Sequence, residues 1–331
     1  DANTTADNNT AVGFQSLLVT TTGFDNTALG ANTLKTNTTG DKNTALGKNA
    51  LFSATTADVN TAVGFNSLSD NTTGTFNTGV GAYALEGNTT ASSNTAVGYV
   101  SMYANTTGTQ NVAMGYGSLD ANTTANNNTA IGYNAMTANT TGANCVAVGM
   151  NALLANTTGG ENIALGGSAL GQNTNISGMV AIGNDAFASN SVGDKGVAVG
   201  TSALASNTTA VHNTGIGYQA LTLNTTGGNN TAVGKGCMLS NTTGVNSTAL
   251  GSGALQANTT ANNNTAIGLN SLYSNTTGAS NTALGKDALL LNTTGYSNVA
   301  IGALAGDSTT TGYQNVYIGK GAGEAGTTGA N

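Results

Sequence analysis

A glycine returns every 17 residues along this chain, and that recurrence limits its possible folds more than any other feature. Nineteen glycines, from Gly13 to Gly319, keep the interval without one insertion or deletion across 331 residues. Around each stands a unit of the form N-T-A-(V/L/I)-G-x-x-(A/S)-L-x-x-N-T-T-G-x-x. Self-similarity at a fixed short period marks a stacked-repeat architecture, in which each unit buries its apolar side against its neighbours. The unit fills positions 1–331, so the sequence predicts one uninterrupted repeat domain.

Seventeen residues would make nearly five helical turns, but the unit's Gly, Thr and Asn are poor helix formers. The segment N-T-A-V-G alternates as a strand does. The residue before each glycine is Val, Leu, Ile or Met in all nineteen units, from Val12 to Ile318, and two places earlier stands Thr, Val or Ile. Those two columns share one face of a strand. A third column, four after the glycine, is Leu or Met in sixteen units, Phe187 once, and broken only by Gly306 and Gly323. The expected fold is all-β: a parallel β-solenoid, or β-roll, of about 19 coils of 17 residues. At the ~4.8 Å spacing of neighbouring strands the coils would form a rod of roughly 90 Å.

On this reading the two aliphatic strand columns stack into the core. Between them lies Ala in sixteen units, Gly79 and Gly215 in two, and Tyr317 in the last. Alternation turns that column away from the core, and its small size predicts close approach of another copy of the chain. The opposite placement, small residues demanded by a narrow interior, is the competing account.

Asn stands four before the glycine in fifteen units and recurs seven after it. Stacked Asn side chains can hydrogen-bond along the solenoid axis, and Asn suits coil corners. The same N-T-T triplets match the N-glycosylation acceptor pattern, which makes Asn37, Asn71, Asn105, Asn139, Asn156, Asn224, Asn241, Asn275 and Asn292 candidate modification sites beside their ladder role. An ice-binding face would need two outward Thr columns separated by one residue. The corner Thr pair is adjacent, so its side chains diverge, and the strand Thr column reads as inward.

The chain holds 7 Lys and 14 acidic residues, no Arg, and a net charge of -7, so a basic footprint for nucleic acid is missing. No apolar run approaches the ~20 residues of a membrane-spanning helix. The single His212 and scattered acids offer no nucleophile–base pair, so no enzyme activity, metal or cofactor is expected. Cys145 and Cys237 are too few for a disulfide framework and read as buried residues replacing Asn or Ala. Charges and most aromatics, including Phe14, Phe65, Tyr99, Tyr133 and Tyr218, occupy variable columns. They read as surface decoration, or else as contacts to other protomers or to sugar.

N-V-A-I-G at 298–302, M-V-A-I-G at 179–183 and N-T-A-I-G at 128–132 resemble the head repeats of trimeric autotransporter adhesins. N-T-G-I-G-Y-Q-A-L-T-L-N-T-T-G at 213–227 also resembles repeats of phage tail-fibre-like and bacterial surface proteins. The resemblance implies a left-handed β-roll, trimerisation, and a role in attachment or as a fibre shaft, although the adhesin unit is shorter than this one. The expected function is a non-enzymatic subunit of an extracellular or cell-surface fibre, or a virion fibre, built from copies of itself. The alternative is an adhesin-like module recognising a cell-surface glycan. Both termini read as mid-repeat, which predicts excision from a longer chain or end-to-end stacking, with Asp1, Tyr313, Tyr317 and Gly323 as candidate junction residues. Two stretches break pattern: 173–200, read as a bend or lateral contact, and 302–326, read as a junction.

Overall fold

The computed structural model describes residues 3–324 and 327–329. Among these residues there is no helix, and nineteen three-residue strands recur at the repeat period. The chain forms two compact units, Asp1–Asn162 and Ile163–Asn331. In the first, β1 (Thr10–Val12) to β9 (Val146–Val148) stack in parallel and in sequence order. In the second, β10 (Ile163–Leu165) to β19 (Val316–Ile318) do the same. Each residue faces its equivalent 17 positions on, as Thr10 faces Thr27 and Ile163 faces Val180. The fold is a parallel β-solenoid with one repeat per turn, and the exact register explains why the period tolerates no slip.

The strands are turned the other way from the sequence expectation. Wherever a strand after β1 has a central Ala it is fully buried, as at Ala28, Ala130 and Ala266, whereas Ala11 of the terminal strand β1 is exposed. The flanking Thr and aliphatic residues are half-buried or exposed: Val12 is 55% exposed, Leu46 43% and Met114 45%. The interior is too narrow for the larger column. A Cβ added to Gly79 would come within 2.6 Å of Ser67 Oγ and 3.4 Å of Leu68 Cδ1, and one on Gly215 within 3.1 Å of Leu204 Cδ1. The Leu column four after the glycine reaches across from the opposite wall and leaves room for a methyl group only. The predicted inward Leu column is correct, with Leu34, Leu68, Leu153 and Leu289 fully buried. The small column three after the glycine also points inward, as at Ala50, Ser101 and Ala152.

Each coil turns its corners with residues in the left-handed region. Besides half-buried Asn such as Asn49 (φ 61°), the buried Leu themselves lie there, including Leu34 (φ 48°) and Leu153 (φ 51°). A left-handed non-glycine residue costs roughly 1–2 kcal/mol, while full burial of a Leu side chain contributes about 1.5–3 kcal/mol. The burial offsets the backbone cost, so this corner can carry Leu in coil after coil. The repeat glycine is different in kind. Gly132 has φ +135° and a Cβ there would meet Gly149 O at 2.6 Å, so successive coils approach too closely for any side chain.

Both irregular stretches lie in the second unit and show internal repacking over their described residues, 173–200 and 302–324, residues 325–326 lying outside the described residues. Phe187 takes a Leu position and is 1% exposed. Gly196, in an Asn column, makes room for it, since a Cβ on Gly196 would lie 2.5 Å from Phe187 Cζ. Met179 replaces the preceding Asn, and its Sδ accepts the Gly196 amide at 3.3 Å in place of an amide oxygen. At residues 302–324, Tyr317 enters the Ala column and turns toward the space left by Gly306 and Gly323. A Cβ on Gly306 would lie 2.6 Å from Tyr317 Cδ2, and Thr309 Oγ1 donates to the Tyr317 hydroxyl at 3.2 Å.

Candidate functional site

The repeat presents three chemically distinct surfaces: two amide ladders inside, one aliphatic strip outside, and a variable corner. The amide ladders come first because they contain the candidate glycosylation sites. In the first unit Asn88 donates to Asn71 Oδ1, Asn105 to Asn88, Asn122 to Asn105, Asn139 to Asn122 and Asn156 to Asn139, at 2.8–3.2 Å. In the second unit the same chain of amides runs through Asn224, Asn241, Asn275 and Asn292. Each Nδ2 also donates to the carbonyl three residues on, as Asn37 does to Gly40 O at 3.0 Å. All nine candidate Asn are fully buried. A glycosyltransferase would find Nδ2 enclosed and hydrogen-bonded at each, and the folded coil favours the ladder role, except at Asn37, which has Thr20 and Ala54 on either side in its column and keeps only the corner bond.

The Asn four before the glycine forms the second ladder. Its Oδ1 accepts the backbone amide of the next equivalent residue, as Asn43 does from Asn60 N at 2.9 Å. Its Nδ2 reaches the corner carbonyl, Asn26 meeting Gly40 O at 2.8 Å. Gly40 O therefore accepts from both ladders, which lock one corner together. Cys145 occupies this column, with its amide donating to Asn128 Oδ1 at 2.9 Å and its thiol near Gly159 O at 3.4 Å. Cys237 occupies the small inward column and donates to Ala249 O at 3.3 Å. Both thiols are free and buried, and burial pushes both pKa values up, Cys237 to about 12.

The two corner threonines divide their work. The first hydrogen-bonds to the next coil, as Thr106 Oγ1 does to Thr123 O at 3.0 Å. The second, as at Thr107 and Thr124, is exposed. The strand threonines, read as inward from the sequence, face outward with the aliphatic column. The outward strip thus pairs Thr with Val, Leu, Ile and Met rather than with a second Thr column.

Of the candidate junction residues, Asp1 lies outside the described residues. Tyr313 is exposed and its ring stacks on Tyr296 at 5.0 Å. Tyr317 is engaged with the interior as described, and Gly323 borders its ring: a Cβ there would meet Tyr317 Cδ1.

The variable corner of the first unit carries a local departure from repetition. Phe65, Tyr83, Tyr99, Tyr116 and Tyr133 follow one another with ring centroids 5.3–5.8 Å apart. Tyr99, Tyr116 and Tyr133 stack nearly parallel, whereas Tyr83 stands edge-on to both Phe65 and Tyr99. The sequence shows Phe65, Tyr99 and Tyr133 singly but not their convergence with Tyr83 and Tyr116, which needs the coil pitch to bring columns one and two after the glycine onto one corner. Among the described residues no three His, Cys, Asp or Glu side chains gather as a metal site would require.

No protein-family profile matches the chain, and no curated protein matches its sequence.

Proposed function

We propose that this chain is a structural subunit of an extracellular fibre, and that copies associate side by side through the outward strip of each solenoid unit. The observation that carries the reading is the aliphatic column before the repeat glycine. It offers Val12, Leu29 and Leu46 in one unit and Ile182, Ile216 and Leu250 in the other, all at least 37% exposed. Contiguous exposed apolar surface of this kind marks an association site. A partner must present apolar groups at the strand spacing of ~4.8 Å over many strands, and a second copy of the same repeat does so by construction. The resemblance to trimeric adhesin heads and tail-fibre repeats supports the same class.

The test is sedimentation of the full chain, with electron microscopy of the same material. Wild-type protein should form species well above the 32.3 kDa chain mass. V97D/I131D/V148D should return it to single-chain mass with an unchanged circular dichroism spectrum, since all three side chains lie outside the core. A wild-type chain that stays monomeric at every concentration would refute the proposal. So would an assembly indifferent to the three substitutions.

A further inference from the structure

The variable corner of the first unit holds two adjoining recesses, and nothing in the fold requires either. One, of about 220 Å³, is lined by Asn49, Phe52, Asn66, Ser69, Asp70 and Glu86. The other, of about 330 Å³, is lined by Tyr83, Tyr99, Val100 and Tyr103. They meet at Glu86. Its Oε1 accepts Asn66 Nδ2 at 2.9 Å, while its Oε2 is buried without a hydrogen-bond partner. Tyr103 lies beside this carboxylate, whose charge pushes the phenol's pKa up, and Asp120 adds to the same effect from the next coil. A buried carboxylate oxygen without a partner is costly, and Glu86 lines the first recess beside the Tyr103 phenol.

The equivalent corner elsewhere shows that the coil needs none of this. In the second unit the column of Glu86 and Tyr103 varies, with Gly171, Ala188 and Leu239 as well as Tyr273, and that of Tyr99 holds Gly167 and Thr201 as well as Tyr218. These columns vary from coil to coil, and at this corner three tyrosines, two carboxylates and two amides come together, on a loop corner where binding residues can vary without cost to the scaffold.

We infer that this groove, running from Phe52 and Asn66 past Glu86 to Tyr99 and Tyr103, binds a neutral polysaccharide. The lining mixes aromatic surface with both kinds of hydrogen-bonding group: amide, hydroxyl and phenol donors, and carboxylate acceptors. A pyranose ring presents the matching set, an apolar C–H face for the tyrosines and hydroxyls that donate as well as accept. Asp70, Glu86 and Asp120 repel an acidic sugar. A basic peptide would use the acids but brings no ring face to lay on the tyrosines. Lys35 and Lys48 already lie over Phe52 and Phe65, 5.4 and 6.0 Å from the ring centroids, so the Phe52 end is not short of positive charge. Small ligand sites of this build, apolar walls with a few placed polar groups, are the usual form of a specific pocket. The inference does not depend on fibre assembly, because every residue lies within one chain.

The chain contains no Trp, so its intrinsic emission reports tyrosines directly. The full-length protein is titrated with cellohexaose, laminarihexaose, maltohexaose and N-acetylchitohexaose, following tyrosine emission and heat. At least one should bind saturably. Y99A and Y103A should each weaken it by about tenfold or more, as loss of a central aromatic anchor does, and E86Q should weaken it less. Y218A, an exposed tyrosine of the same column in the other unit, should bind like wild type. All four side chains are at least partly exposed, and unchanged circular dichroism verifies the fold. Failure of all four sugars would overturn the inference. Equal loss in Y218A would do the same, as would saturable binding of a hexalysine peptide that E86Q abolishes while no sugar competes.

Discussion

Asn122, Thr123 and Thr124 are consecutive members of one N-T-T triplet, and the structure assigns them very different worth. Asn122 Nδ2 donates to Asn105 Oδ1 at 2.8 Å and to Ala125 O at 3.2 Å, and its Oδ1 accepts Asn139 Nδ2 at 3.2 Å. The side chain is fully buried. Replacement by Ala removes three hydrogen bonds of about 1 kcal/mol net each and strands partners on both sides, so the expected cost is about 3–5 kcal/mol. Thr123→Val removes one long bond, Thr123 Oγ1 to Thr140 O at 3.3 Å, at about 0.5–1 kcal/mol. Thr124→Val keeps the β-branched shape and gives up no bond within the chain, so it should fall within about 0.5 kcal/mol of wild type. Val192, which occupies the equivalent exposed position in the second unit, shows that the fold accepts the change. Urea denaturation of the full chain, followed by circular dichroism, reads all three as midpoint shifts. If Asn122→Ala and Thr124→Val shift the midpoint equally, the amide ladder contributes nothing to stability and the argument from buried amides fails.

Three further outcomes follow from the interior. Ala130→Val should destabilise by about 1–3 kcal/mol through overpacking, visible as a lower urea midpoint, although valine is the better strand former. Gly196→Ala should destabilise by collision with Phe187, and Phe187→Leu in the same chain should restore it; a double-mutant cycle should give a coupling of about 1–3 kcal/mol, and simple additivity would refute the packing account. Cys237 holds its proton in the fold up to about pH 12, against 9.0 for an exposed thiol. Its contribution is therefore full below pH 9 and lost as pH rises toward 12. Urea midpoints of wild type and Cys237→Ala should keep a constant separation below pH 9, and above it the wild type should fall faster, so that any wild-type advantage shrinks toward pH 12.

The repeat made the strand, the parallel stacking, the register and the inward Leu column legible before any coordinates. It left the facing of the strand open. Alternation says that Thr129 and Ile131 share a face opposite Ala130, but not which face is inside; choosing the more hydrophobic side gave the wrong answer. The deciding fact is the width of the coil, set by how far Met136 and its Leu equivalents reach across, and no local pattern in the sequence states that distance. The left-handed Leu were hidden for a related reason, since residue type argues for Gly or Asn at such corners and only burial compensates. Tyr317 was visible as an anomaly, as were Gly306 and Gly323, but their relation as filler and gap appears only when coils are stacked. The groove at Glu86 was illegible because its residues lie in different repeats and in columns that look random one at a time.

These facings together account for the distribution of residue types through the repeat. The interior is made of methyl groups, Leu side chains and two amide ladders, and every amide bond along the ladder joins residue i to residue i+17. An inserted residue would break both ladders and the strand register in the same coil, so the period is held by hydrogen-bond geometry as much as by hydrophobic burial. The same tightness explains why interior exceptions occur in compensated groups: Phe187 with Gly196 and Met179, Tyr317 with Gly306 and Gly323. Outside the ladders no such coupling operates, and there the chain carries its charges, its tyrosines and its aliphatic strip. Interior columns therefore specify the coil, and exterior columns are free to specify what the coil meets.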